Sequence, residues 1–118
     1  MVLVDTSVWV VHLRSGNIGL ETLLSEGNVV CHPFIVGELA CGNLKNRAEI
    51  LSLLQTFPMA IPGEHEEVMR FLEDHTLMGK GLGYIDIHLI ISAIVTGIPL
   101  WTVDKKLDEI SLKLGIGY

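Results

Sequence analysis

Positive charge is the first shortage in this sequence. Eight lysines and arginines stand against fourteen aspartates and glutamates in 118 residues, a formal net charge of −6. That balance excludes a protein that holds nucleic acid by general cationic attraction, because such binding scales with the phosphates neutralised. Any contact with a polyanion must be local and made by a few residues. Cysteine is scarce too: Cys31 and Cys41 show no CxxC spacing and no Cys/His cluster, which excludes a zinc site. With no secretory signal ahead of the first strand, both read as reduced, buried thiols of a cytoplasmic protein. Long apolar runs are also missing. The longest, near Leu89 to Val95, falls far short of the ~20 residues a membrane span requires.

Hydrophobic residues, at 49%, and a modest 19% of charged ones exclude a disordered chain. The length fits one domain, residues 1–118, with no internal repeat. The apolar share is high for so small a body, so some apolar surface is expected to be covered by another chain.

Short aliphatic runs alternate with helical patterns, which reads as one α/β unit with a parallel sheet. Met1-Val2-Leu3-Val4 and Val29-Val30-Cys31 read as strands buried on both faces. Residues 57–62, fenced by Pro58 and Pro62, read as a short edge strand. Leu100-Trp101-Thr102-Val103 reads as a fourth strand. Helices are expected after the first strand, with Thr6 and Ser7 as caps, then over about 18–25, from His32-Pro33 to Gly42, and over 45–55, 64–77, 86–96 and 105–114. The glycine-rich 79–83 lacks the GxxxxGK[ST] pattern and a preceding strand, so it is not a phosphate loop. The acidic first turn Glu64, Glu66, Glu67 suits the helix dipole and reads as a solvated face.

Four other acids stand where a solvated acid is not expected. Asp5 and Asp104 follow apolar strands, Glu38 lies inside the helix after the second strand, and Asp86 opens the most apolar helix. In a parallel sheet with right-handed crossovers, strand ends and following helix starts gather at one edge, where ligands bind. Converging carboxylates repel unless cations intervene. Such an all-oxygen set suits Mg²⁺ or Mn²⁺, and the chemistry it supports is phosphodiester hydrolysis. No Ser-His-Asp or Cys-His arrangement competes. A bare helix cap is the simpler reading of Asp5 on its own.

These blocks together resemble a known family. Val-Asp-Thr-Ser-Val-Trp at 4–9, Val-Gly-Glu-Leu at 36–39, Gly-Tyr-Ile-Asp-Ile-His-Leu-Ile-Ile-Ser-Ala at 83–93 and Leu-Trp-Thr-Val-Asp-Lys-Lys-Leu at 100–107 look like PIN domains, and more narrowly like VapC-type toxins. Each block is weak alone; in order and spanning the chain they are specific. The resemblance implies a three-layer α/β/α sandwich with a short, mainly parallel central sheet. It implies a Mg²⁺- or Mn²⁺-dependent endoribonuclease that cuts RNA, is inhibited by a cognate antitoxin and is usually a homodimer. Metal and catalytic roles carry to Asp5, Glu38, Asp86 and Asp104. Thr6 and Thr102 match polar positions that support the acids by hydrogen bonds.

Other candidates weigh less. Lys80 and Lys105, with Lys106, flank the acids in sequence and suit RNA phosphates, as Arg14 suits RNA or an antitoxin carboxylate; bare solvation competes in each case. His12, His32 and His88 read as core or interface histidines, and Trp9 and Trp101 as packing anchors. Two other classes compete with the nuclease. One is a catalytically silent binding module whose acids hold a structural cation. The other is a phosphoacceptor receiver domain, which needs an acidic pair where Asp5 is followed by Thr6-Ser7.

Overall fold

Val2–Val4 forms the central strand, β1, in the computed structural model, which describes residues 1–118. All three residues are buried, as a strand with apolar layers on both sides requires. On one side β2 (Val29–Val30) pairs in parallel, Val2 opposite Val29 and Leu3 opposite Val30. On the other, β3 (Leu100–Trp101) pairs in parallel, Leu3 opposite Leu100 and Val4 opposite Trp101. The order is therefore β2-β1-β3.

Two strand expectations shrink. The segment at 57–62 contributes only one parallel bridge, Met59 to Cys31 beyond β2. Prolines 58 and 62 have no N–H for a ladder. Pairing is limited to Cys31 N–H on the Pro58 carbonyl and Ala60 N–H on the Cys31 carbonyl, both 2.8 Å. The last strand stops at Trp101 because Val103 turns its N–H onto Ser7 Oγ, 3.1 Å away, instead of a neighbouring strand.

Seven helices flank the sheet: α1 (Thr6–Ser15), α2 (Ile18–Ser25), α3 (Pro33–Ala40), α4 (Arg47–Leu54), α5 (His65–Asp74), α6 (Tyr84–Thr96) and α7 (Lys105–Lys113). With the parallel sheet they make the α/β/α sandwich. Helix α1 packs on α3 and α3 on α4, while α6 lies against α5 and β3. Helix α5 stops at Asp74, short of residue 77, since Thr76 adopts φ 51°. Glu67, read as solvated, also accepts the Glu64 N–H at 2.9 Å and so helps start α5. Helix α6 begins at Tyr84, two residues early, and its run Ile87 to Ala93 is buried all round. Gly97 closes it at φ 76°, a conformation that favours glycine. No helix is long and apolar enough to cross a membrane.

Cys31 is buried, and burial raises its thiol pKa. Cys41, expected inside, is exposed: it follows the last turn of α3, where the chain swings outward.

His32 is fully buried and ties α3 to α6. Its Nδ1 accepts the Phe34 N–H at 3.0 Å, which caps α3, and its Nε2 lies 3.1 Å from Ser92 Oγ. An accepting Nδ1 places the single ring proton on Nε2, facing Ser92. Burial, and secondarily His88, lowers the His32 pKa from 6.5 to about 4. The unfolded chain therefore takes this proton first as pH falls, so the stabilisation is complete above 6.5 and lost towards 4. A shift of that size is worth on the order of 3 kcal/mol. Thermal melts should fall across this window, and His32→Asn, which keeps a cap acceptor, should flatten the fall. Parallel slopes in the two proteins would refute this.

Candidate functional site

Strand order sets the place of the site. From β1 the chain leaves through α1 towards β2, whereas from β3 it leaves through α7 and returns as an isolated bridge of Gly117 beside Leu100, on the far side. Connections that diverge from neighbouring strands open a crevice at their carboxyl ends. Asp5 follows β1 directly, and Thr102 to Asp104 follow β3.

Asp5 sits at the N-cap position of α1, yet its side chain makes no cap hydrogen bond. The simple capping reading therefore fails. Instead Oδ2 accepts from Ser7 Oγ at 2.7 Å and from Thr102 Oγ1 at 2.8 Å. Each hydroxyl has one proton, so both are spent on Asp5, and the 3.1 Å between Ser7 Oγ and Thr102 Oγ1 is a contact without its own proton. Those oxygens in turn accept the N–H groups of Val103 and Asp104. The loop after β3 is thereby pinned to the start of α1. Asp5 is only 6% exposed, and no protein donor reaches its Oδ1.

The other three acids follow the same pattern. Thr6 Oγ1 donates to Glu38 Oε1 at 2.7 Å, linking α1 to α3. Asp86 Oδ2 accepts the Gly83 N–H at 2.8 Å, and Asp104 Oδ1 accepts the Leu107 N–H at 2.9 Å as the cap of α7. Each carboxylate is held by one oxygen, none of the donors is a cation, and the second oxygen is left without a protein partner.

Electrostatics link three of the four. Burial raises the Asp86 pKa, the Gly83 N–H opposes it, and the charges of Asp5 and Asp104 raise it further. Those carboxylates thus share one field. They do not form a closed ligand shell: no three His, Cys, Asp or Glu side chains stand at the spacing of ion ligands. The donor set itself suits a hard divalent cation, being all oxygen, mutually repulsive and tethered through one oxygen per group.

Thr6 donates to Glu38 and Thr102 to Asp5. Ser7 donates to Asp5 and the Gly83 N–H to Asp86, although local pattern marks Ser7 only as a helix cap. The Asp-Thr-Ser order carries the signal, since two hydroxyls beside a strand-end acid can turn back on it. Lys105 begins α7 beside Asp104 and is exposed. Lys80 lies in the loop before α6, at a hollow shared with His75 and Lys113. Arg14 is exposed in the last turn of α1, roughly 13 Å along the helix from Asp5 at 1.5 Å per residue, and so apart from the acids. A hollow of about 250 Å³ between α5 and α6 shares no residue with the four acids. His88 is buried, His12 half-buried with Nδ1 accepting the Asn17 N–H, Trp9 buried against Phe57, and Trp101 packed on Tyr118.

No protein-family model matches the chain. In overall fold it is similar to the crystal structure of PAE2754 from Pyrobaculum aerophilum, with a TM-score of 0.61 over 97% of this chain and 88% of that one, at 15% identity. In sequence it is 41% identical over 117 residues to Ribonuclease VapC32 of Mycobacterium tuberculosis, in both the CDC 1551 / Oshkosh and H37Rv strains. That alignment spans 98% of this chain and 94% of the relative. Likeness of that degree, running almost end to end, means that the chain belongs to the VapC-type toxins of the PIN-domain family.

Proposed function

We propose that this chain is a divalent-metal-dependent endoribonuclease, the toxin of a toxin–antitoxin pair. The observation that carries the reading is that the charges of Asp5 and Asp104 both bear on Asp86, and each of the three keeps one oxygen free of protein donors. The name of the ribonuclease relative supports the same assignment.

Asp5 and Asp86 are the residues proposed to hold Mg²⁺ or Mn²⁺ directly, with Glu38 completing the set and Asp104 acting directly or through water. When bound, such an ion supplies Lewis acidity to an attacking water and to the scissile phosphate. The protein's own part is orientation. Ser7 and Thr102 fix the rotamer of Asp5, Thr6 fixes Glu38, and the Gly83 N–H fixes Asp86. Lys105, next to Asp104, is proposed as a phosphate contact. A cognate antitoxin and a second copy of the chain are the proposed protein partners. Apolar side chains exposed on the helices, Val10, Val11, Ile94 and Val95 among them, offer them surface.

Cleavage of single-stranded RNA should require millimolar Mg²⁺ or Mn²⁺ and stop on addition of EDTA. The same ions should raise the melting temperature at neutral pH, because they bind the folded acids and relieve the repulsion felt by Asp86. EDTA-resistant cleavage, with no thermal shift, would overturn the metal assignment.

A further inference from the structure

A row of rings crosses from α3 to α6. Tyr84 and His88 stand one turn apart on α6, with centroids 4.6 Å apart and planes at 78°. Across from them, Phe34 of α3 meets the same His88 at 4.7 Å, again at 78°. His65 steadies the far end: its Nδ1 lies 2.8 Å from the Tyr84 hydroxyl. His88 is 4% exposed, and neither ring nitrogen has a hydrogen-bond partner. It therefore acts as a brace between two aromatic rings, which leave part of themselves in solvent, Phe34 at 37% and Tyr84 at 44% exposed.

The row meets the proposed catalytic group on α3. Phe34 precedes Glu38 by four residues, which puts both on one face of α3. On α6, Tyr84 shares the first turn with Asp86, two residues on, but points to a different side of the helix. Aromatic rings held rigidly at 78° by a buried neighbour lose little freedom when a flat ligand settles on them. An acidic protein with eight basic residues also needs a way to hold RNA other than by charge. Stacking supplies it, since every base offers a π face.

We propose that Phe34 and Tyr84, braced on His88, form a stacking ledge for an unpaired nucleobase of single-stranded RNA beside the scissile phosphate. The assignment rests on the ribonuclease reading above. Base-paired RNA keeps its bases stacked on one another and is a poor ligand for such a ledge.

The test uses an unstructured oligoribonucleotide carrying 2-aminopurine, whose fluorescence falls when the base stacks. Wild type, Tyr84→Leu, Tyr84→Phe and Phe34→Leu are compared, and leucine keeps His88 covered so that folding is spared. Wild type and Tyr84→Phe should quench the probe and bind it alike. Tyr84→Leu and Phe34→Leu should lose the quenching and bind about tenfold or more weakly, and a duplex of the same sequence should bind worse than the single strand. If both leucine variants quench, bind and cut like wild type while Asp5→Asn abolishes cutting, the ledge is wrong and the nuclease stands. If wild type neither binds nor cuts RNA, both fall. If the leucine variants change only the sedimentation of the protein, the rings form a protein interface and the ledge is again wrong.

Discussion

Replacing Asp5 by asparagine should lower RNA cleavage more than a hundredfold while the protein still folds. Changing a residue that merely positions a metal ligand costs about ten to a hundredfold, and Asp5 is proposed as a ligand itself. Asparagine keeps an oxygen to accept from Ser7 and Thr102, so the pinning of the 102–104 loop survives. It also removes one of the charges that raise the Asp86 pKa, so the melting temperature should hold or rise. Thr102→Val keeps the shape of a buried side chain and removes one donor to Asp5. It should cost about ten to a hundredfold, with Asp5→Asn beyond it. Equal cleavage by Asp5→Asn and wild type would leave a silent binding module as the better description.

The largest loss of stability is expected from Leu3→Ala. Leu3 is fully buried in the middle strand and pairs with Val30 on one side and Leu100 on the other. Its N–H also donates to the Pro99 carbonyl at 2.9 Å. Little can collapse into the gap, because the backbone on both sides is fixed by the ladder. Truncation should cost about 3 kcal/mol, within the range for buried leucines, and lower the melting temperature by roughly 10 °C. Cleavage at low temperature should persist, since the alanine changes no acid. A melt within a degree or two of wild type would mean that this strand is not the keystone of the sheet.

What could be read in the sequence depended on the range of the forces involved. Strand β1, the body of α6 and the positions of the four acids follow from local pattern: three aliphatics ending in Asp5, and an apolar run closed by Gly97. Helix starts and stops were less legible, because they depend on single contacts such as Gly83 N–H on Asp86, which moves the start of α6 to Tyr84. The pairings across the chain were hidden altogether. Ser7 lies 95 positions from Thr102, and only the closed sheet brings their hydroxyls onto one carboxylate. Phe34 and Tyr84 were unremarkable in sequence for the same reason, since their shared neighbour His88 becomes visible only when α3 lies against α6.

The borders of the sheet carry a consequence for how copies of this chain can associate. Beyond β2 the chain makes a single backbone pairing at Met59, between Pro58 and Pro62, and beyond β3 a single one at Gly117. Neither border offers a run of free amides that a foreign strand could use as a template. Filament growth by strand addition is thus blocked at both rims. A second copy would have to dock through side chains and not by extending the sheet.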